Sequence, residues 1–225
     1  MAKVVILGAG IAGHTAARYL DKWLGKSHEI IVISPNAKWN WVPSNIWVGV
    51  GQMKEEDVTF DLATIYKKTN VTFKQAKALA IHPEGDANNV QGFVSVEYTL
   101  PGQEGTKENV AFDYLINATG PKLNFGATPG LGPEHGHTVS VCTAQHALEA
   151  NQKLQAVIDR MKAGEKCNLV VGTGHGMCTC QGAAFEYIYN IDHTLREAGV
   201  RDNARIIWLS NEYELGDFGM GGVHI

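Results

Sequence analysis

Near its start the chain carries an apolar segment that runs directly into the glycine pattern Gly8-x-Gly10-x-x-Gly13. Each glycine has a separate physical role: Gly8 permits a tight turn, Gly10 lets backbone approach a pyrophosphate, and Gly13 lets the next helix pack closely on the strand. The pattern becomes specific through its setting, because a helix is predicted over 14–24 and a second apolar strand over 30–33. The sequence therefore predicts a βαβ unit that binds a dinucleotide at the helix N-terminus, the alternative being a glycine-rich turn of another α/β protein.

The second strand ends in an unusual way for an NAD-binding unit. Such units commonly place an acidic residue there to bind the ribose hydroxyls, whereas this chain has Ser34-Pro35-Asn36. Ser34 and Asn36 can still hydrogen-bond a ribose. The first half of the chain therefore predicts a nucleotide without fixing which one.

Composition restricts the class of protein. The 225 residues are 44% hydrophobic and 19% charged, which is typical of a globular protein with one large or two small domains. A net charge of −4 and no run of Lys and Arg argue against a nucleic-acid partner. We expect neither a transmembrane segment nor a signal peptide. We interpret the cysteines as free or redox-active rather than as a disulfide framework; they are Cys142, Cys167, Cys178 and Cys180.

A tryptophan-rich segment, 39–47, follows the first βαβ unit and is predicted to be a loop. Its three tryptophans can fill a core or form the wall of a site for a flat ligand. Beyond it, short antiparallel strands are predicted at 71–73, 94–100 and 110–112. A buried strand, 114–117, then leads into the small-residue turn Ala118-Thr119-Gly120.

The remainder repeats the strand, glycine turn and helix. Its helices are predicted over 144–161 and up to Glu197, and its strands over 167–171 and 205–209. Met177 replaces the last glycine of the second turn, which weakens any assignment of a nicotinamide nucleotide there. The fold class predicted is α/β with two Rossmann-like units, the second incomplete. The predicted domains are an FAD-binding domain with an antiparallel insertion (1–125), a linker (126–143) and the second unit (144–225).

Two such units, with an Ala-Thr-Gly turn after the first, are typical of two-dinucleotide flavoprotein oxidoreductases with an FAD-dependent disulfide-oxidoreductase-like fold. The glutathione-reductase type is disfavoured, because no C-x4-C pair follows the second strand. The chain resembles the sulfide:quinone oxidoreductase family and its relative, the flavoprotein subunit of flavocytochrome c sulfide dehydrogenase. The segments that carry this resemblance are LGAGIAG, VPSNIWVGVG (42–51), YLINATGPKLNFG (114–126), SVCTAQHALEA (140–150) and CQGAAFEY (180–187).

The resemblance implies FAD as the cofactor, with its contacts spread along the chain. The ADP half would be held by Gly8, Gly10, Gly13 and Ser34. The isoalloxazine would be bordered by Pro43, Ser44 and Asn45. The phosphates and ribityl chain would pass close to Thr119 and Gly120.

The resemblance also implies the catalytic groups. Cys180 matches the redox cysteine at the flavin, and Cys142 matches a cysteine that in some members is bonded to the flavin or carries sulfur. His146 lies four residues after Cys142, and Glu186 is a candidate polar or proton-relay group. The chemistry suits thiols, since sulfide oxidation needs an electrophilic sulfur and a thiolate, and the opening of a helix favours thiolate character. Cys167 is expected to be structural, and the histidines other than His146 and His175 are expected at the surface or in loops.

The implied reaction is oxidation of sulfide to sulfane sulfur or polysulfide, with electrons passed through FAD to a quinone. The implied partners are sulfide, quinone, a membrane surface bound peripherally through a missing C-terminal part, and other copies in a homo-oligomer; no metal site is predicted. Three departures stand against the family pattern: Asp217 in place of a histidine, Cys178 as an extra thiol, and about half the usual length. The alternatives are a type II NADH:quinone reductase, a non-catalytic flavin-binding sulfur or redox sensor, and a purely structural subunit.

Overall fold

The computed structural model describes residues 1–134, 136–174 and 180–210. These residues belong to two compact units, one formed by Met1–Asn40 and Thr59–Lys122, the other by Trp41–Val58 and the described residues from 123 onward. The elements, in chain order, are β1 (Lys3–Leu7), α1 (Ile11–Leu24), β2 (Glu29–Ser34), β3 (Lys38–Asn40), α2 (Asn45–Gly49), α3 (Glu55–Val58), β4 (Thr59–Asp61), α4 (Leu62–Tyr66), β5 (Val71–His82), β6 (Phe93–Tyr98), β7 (Lys107–Ala111), β8 (Tyr114–Asn117), α5 (Ala144–Lys162), β9 (Cys167–Thr173), α6 (Gln181–Glu197) and β10 (Ala204–Ser210).

The first unit is built on a six-stranded sheet of order β7-β6-β5-β2-β1-β8. Strands β5, β2, β1 and β8 pair in parallel with one another in that order, and β1 lies between β2 and β8. The apolar runs of β1 and β2 are buried on both faces, as parallel strands require. Val4 and Ile6 face a core that includes Ala17 of α1, whereas Val5 and Leu7 face a core shared with β6 and β7. The predicted βαβ unit is confirmed.

Strand β5 differs from its prediction. The sequence predicted a short antiparallel strand at 71–73, but β5 runs for 12 residues, pairs in parallel with β2 at its start and pairs antiparallel with β6 further on. Its pairing shifts between Ala78 and Ala80, which is where a bulge re-aims the strand. One long strand therefore joins the parallel sheet to the antiparallel insertion.

A charged network spans this insertion. Lys74 Nζ of β5 donates to Tyr98 Oη at 3.0 Å and to Glu108 Oε2 at 2.9 Å, and Tyr98 Oη also donates to Glu108 Oε2 at 2.5 Å. Burial opposes ionisation of Glu108, but the hydrogen bonds from Tyr98 and Lys74 outweigh it and hold the pKa of this carboxyl below its ordinary value. The network therefore ties three neighbouring strands together at one point.

The tryptophan-rich segment is not the single loop that the sequence predicted. Trp39 lies in β3, stacks on Phe60 of β4 with ring centroids 4.8 Å apart, and packs on the core of the first unit. The backbone then forms a 3-10 turn over Val42–Ser44 and the short helix α2. Trp39 thus fills a core, which was the plainer of the two interpretations.

The second unit pairs β9 with β10 in parallel, and α6 lies between these strands in the chain and packs on them. Its core contains Leu154 and Ile158 of α5 together with Ile191 and Leu195 of α6. Helix α2 packs on α5, so the segment 41–58 belongs to this unit rather than to the one that precedes it in sequence. The predicted strand–helix–strand repeat is confirmed, while the domain boundaries at 125 and 143 stay a prediction.

Candidate active site

The glycine turn lies where β1, β2 and β8 reach their carboxyl ends. Leu7 pairs with Ile33 of β2 and with Asn117 of β8, so Gly8, Ser34 and Ala118 follow at the same level. The chain passes from β1 to β2 on one side and later returns to add β8 on the other side of β1, so the strand order reverses at β1 and this edge is a switch point of the sheet. Open α/β sheets bind their ligands in the crevice outside such a point.

The three glycines have different surroundings. Gly8 has φ +93°, and a Cβ there would lie 2.3 Å from the carbonyl oxygen of Ala118. A Cβ on Gly13 would lie 1.9 Å from the carbonyl oxygen of Gly8, so the helix starts in direct contact with the turn. A Cβ on Gly10 would meet no described atom within 4 Å, its chain neighbours left aside. The fold therefore requires glycine at positions 8 and 13, whereas Gly10 faces open space.

The start of α1 fits a bound phosphate. Gly10 is the N-cap, and in the described part of the chain no side chain caps this end and no acidic residue stands in the first turn. Unpaired N–H groups and the positive end of a helix dipole favour an anion at such a position.

Polar groups at the same edge fit a ribose and a diphosphate. Ser34 is buried, and its Oγ accepts a hydrogen bond from the Asn36 backbone N–H at 3.3 Å. Thr119 donates from N and Oγ1 to Asn117 Oδ1. Gly120 has φ +69°, and a Cβ there would meet no described atom within 4 Å. The residues of the first unit therefore fit the dinucleotide end of FAD.

One contact in this unit involves a histidine to which the sequence motifs assign no role. His14, directly after Gly13, is half-buried, and its Nδ1 lies 2.9 Å from Tyr66 Oη among the rings of Trp39 and Phe60. Burial and the nearby Arg18 lower the pKa of His14, and burial raises the pKa of Tyr66 to about 12. The expectation that His14 is a surface residue is wrong, because it closes the aromatic core beneath α1.

His82 also differs from the expectation that it lies in a loop. It ends β5 and stacks on Phe93 with ring centroids 4.3 Å apart. His135 and His175 lie outside the described residues.

In the second unit, the predicted isoalloxazine contacts lie just before α2 and at its first residue. Pro43 is exposed, Ser44 is half-buried, and Asn45 is fully buried as the first residue of the helix. The 3-10 turn that contains Pro43 and Ser44 places them on the surface of this unit, where a ligand can reach them.

Cys142 and His146 flank the start of α5. Cys142 is exposed, and its backbone N–H donates to Ser140 Oγ at 3.0 Å. Thr143 is the N-cap, and its Oγ1 accepts from the His146 backbone N–H at 3.1 Å. The His146 ring meets Phe125 edge-on at 5.2 Å, and its buried Nδ1 has no hydrogen-bond partner among the described residues. This nitrogen can therefore bond a group that the described chain does not supply.

Cys180 is the N-cap of α6 and is exposed, as expected for a thiol at the opening of a helix. Glu186 is exposed on the same helix. Six residues along an α-helix correspond to about 120° around its axis, so Glu186 and Cys180 face different directions. Cys167 is buried in the core of the unit, which agrees with a structural role.

Other predicted features lie outside the described residues: Met177, Cys178 and Asp217. In the part of the chain that is described, no three His, Cys, Asp or Glu side chains form a metal-binding group. None of the described helices is long and apolar enough to span a membrane.

Comparison with known proteins gives the family. The model of the pyridine nucleotide-disulphide oxidoreductases matches residues 2–192. The chain belongs to this family. Its members bind FAD, which agrees with the predicted cofactor and with the fit of the first unit, and the predicted disulfide-oxidoreductase-like fold is confirmed.

Similarity to individual proteins is more specific. The chain is 35% identical over 224 residues to the sulfide-quinone reductase of Aquifex aeolicus, covering 99% of this chain and 46% of that protein. It is 24% identical over 204 residues to the mitochondrial sulfide:quinone oxidoreductase of Dictyostelium discoideum, covering 91% of this chain and 41% of that protein. The crystal structure of the Aquifex aeolicus enzyme matches all of this chain and 46% of its own, with a TM-score of 0.79 and 31% identity. The resemblance indicated by the motifs is confirmed, and the chain spans about half the length of these relatives.

Proposed function

We propose that the chain is the FAD-binding and thiol-bearing part of a sulfide:quinone oxidoreductase, which oxidises sulfide to sulfane sulfur or polysulfide and passes the electrons to a quinone. The observation that carries the proposal is the pair of exposed thiols at helix starts of the second unit, Cys142 before α5 and Cys180 at the N-cap of α6. A type II NADH:quinone reductase has no need of either thiol.

The residues divide the chemistry between them. FAD, when bound, supplies a two-electron acceptor. Hydrosulfide attacks a cysteine-borne sulfur that is bonded to a second thiol: the S–S bond to hydrosulfide forms, the bond to the second thiol breaks, and that thiol leaves as a thiolate with the electron pair, for which FAD would be the acceptor. We assign the thiolate that faces the acceptor to Cys180 and the sulfur-carrying thiol to Cys142.

The other site residues hold the reactants. His146 Nδ1 is buried and has no hydrogen-bond partner among the described residues, so we assign it a hydrogen bond to a bound reactant. Gly8, Gly10, Gly13, Ser34, Thr119 and Gly120 would hold the dinucleotide, and Pro43, Ser44 and Asn45 would border the flavin ring. Glu186 would act at the protein surface, since it is exposed. Peripheral membrane binding and a homo-oligomer complete the proposal.

The test is anaerobic reduction of the flavin by sulfide in the full-length protein. Cys180→Ser should abolish sulfide-dependent bleaching while FAD content stays at the wild-type level, because a hydroxyl cannot perform thiol exchange. Cys167→Ser, a thiol change in the core, is the matched control and should bleach at a rate near wild type. Wild-type bleaching by both variants would remove the catalytic assignment. Bleaching of the wild type by NADH and not by sulfide would support the type II reductase, and bleaching by neither would support a sensing module.

A further inference from the structure

A half-buried tyrosine joins the segments of the second unit that carry the proposed site. Tyr187 of α6 donates from Oη to the carbonyl oxygen of Gly49, the last residue of α2, at 3.2 Å. Burial raises the pKa of Tyr187 to about 12, so the hydroxyl keeps its proton and remains a donor across the physiological range.

Tyr187 and Val141 leave no room for a side chain at Gly49. A Cβ at this position would lie 2.9 Å from Tyr187 Cε2 and 2.9 Å from Val141 Cγ1. The backbone at the end of α2 is therefore packed directly against the tyrosine ring and the valine side chain. Close-packed interiors transmit small displacements, so a shift at any of the three is passed to the other two.

Gly49, Val141 and Tyr187 each lie in a segment that carries a proposed site residue. Helix α2 follows directly on Pro43 and Ser44. Val141 precedes Cys142 in the chain, and α6 begins at the Cys180 cap, about two turns before Tyr187.

We infer that Tyr187 is a positioning residue, which fixes the flavin-facing turn before α2, the Cys142 segment and the Cys180 helix relative to one another. The inference rests on the proposed function, which gives these three segments their roles at the flavin and in thiol chemistry. It does not require that sulfide be the substrate, because positioning acts on the thiols and on the flavin environment whatever the reductant is.

The experiment uses the full-length, FAD-loaded protein and two variants on the same helix. Tyr187→Phe removes the hydrogen bond and keeps the ring, and Tyr189→Phe makes the same change at an exposed position two residues on. The readouts are the visible absorption and circular dichroism of the flavin, and the rates at which iodoacetamide alkylates Cys142 and Cys180, followed by mass spectrometry.

Tyr187→Phe should change the alkylation rate of at least one of the two cysteines by roughly two- to tenfold, the range that corresponds to one lost hydrogen bond, and should alter the flavin spectrum at unchanged FAD content. Tyr189→Phe should change neither readout. Gly49→Ala, which forces the ring and Val141 apart, should reproduce the effect with Tyr187 intact. A Tyr187→Phe protein with wild-type spectrum and alkylation rates would overturn the inference, whether or not its melting temperature falls. Sulfide enters none of these measurements, so their outcome is independent of the test of the proposed function.

Discussion

Replacing Gly8 with alanine should destabilise the protein even without FAD. The residue has φ +93°, and a left-handed conformation costs a non-glycine residue about 1–2 kcal/mol. The new Cβ would also lie 2.3 Å from the backbone oxygen of Ala118, and overpacking of this kind costs about 1–3 kcal/mol. The free energy of unfolding should therefore fall by about 2–5 kcal/mol, a large part of the roughly 5–15 kcal/mol of a typical domain.

The matched control is Gly10→Ala in the same turn. Its Cβ would meet no described atom within 4 Å, and its φ of −72° is available to alanine, so we expect a loss of less than about 1 kcal/mol, which is the usual effect of alanine at an N-cap. The assay is thermal and urea denaturation of the FAD-free protein, because bound FAD would add its own stabilisation. Gly8→Ala should lower Tm by about 4–20 °C.

The same two positions separate folding from binding. Gly10→Val should leave the FAD-free fold intact and abolish FAD retention, because its side chain would enter the space through which we expect the pyrophosphate to pass. Equal Tm values for FAD-free Gly8→Ala and wild type would refute the packing argument. Stoichiometric FAD in purified Gly10→Val would refute the binding argument.

Three further changes test the local structure. Burial and Arg18 lower the pKa of His14, so its ring binds a proton more readily in the unfolded chain. Its contribution to the free energy of unfolding should be full above a pH of about 6.5 and should fall as the pH is lowered further. Urea denaturation at a series of pH values measures this fall, and a His14→Gln variant with the same fall as wild type would contradict the prediction. The pKa of Glu108 is lowered by its hydrogen bonds, so its contribution should be present above pH 4.5 and lost on acidification, and Glu108→Gln should show a smaller acid-side loss in the same series. Thr143→Ala should lower the free energy of unfolding by about 1 kcal/mol through loss of the α5 cap, with recovery in Thr143→Ser; an unchanged urea midpoint in the alanine variant would refute the role.

The parts of the fold that sequence could predict are those set by local rules. The apolar runs of β1 and β2, the glycine turn and the helix that follows are specified by neighbours a few residues apart, and all three were predicted. Strand β5 was not, since its length comes from pairing with β2 on one side and with β6 on the other. A residue such as Lys74, bonded to Glu108 in another strand, gives no local sign of that partner.

The site shows the same division. The roles of Gly8 and Gly13 follow from a motif whose geometry is local, and the structure gives each the backbone contact that the motif predicts. His14 and Tyr187 lie beside motif residues, but their partners are Tyr66 and Gly49, which are 52 and 138 positions away in the chain. Only the folded structure brings such pairs together, and a histidine or tyrosine on a helix carries no signal of which distant group it meets.

The two units solve one physical problem in two ways. Each contains a strand followed by a helix, and in the part of the chain that the structure describes no side chain caps either helix at its N-cap residue, Gly10 in α1 or Cys180 in α6. A helix N-terminus with unpaired N–H groups favours negative charge. In the first unit the N-cap has no side chain, so a phosphate of the cofactor can approach the backbone itself. In the second unit the N-cap carries a thiol, so the group that approaches the helix end belongs to the chain. Under the proposed function, glycine at the N-cap leaves the first helix end open to the cofactor, and cysteine at the N-cap places a thiol of the chain at the second helix end.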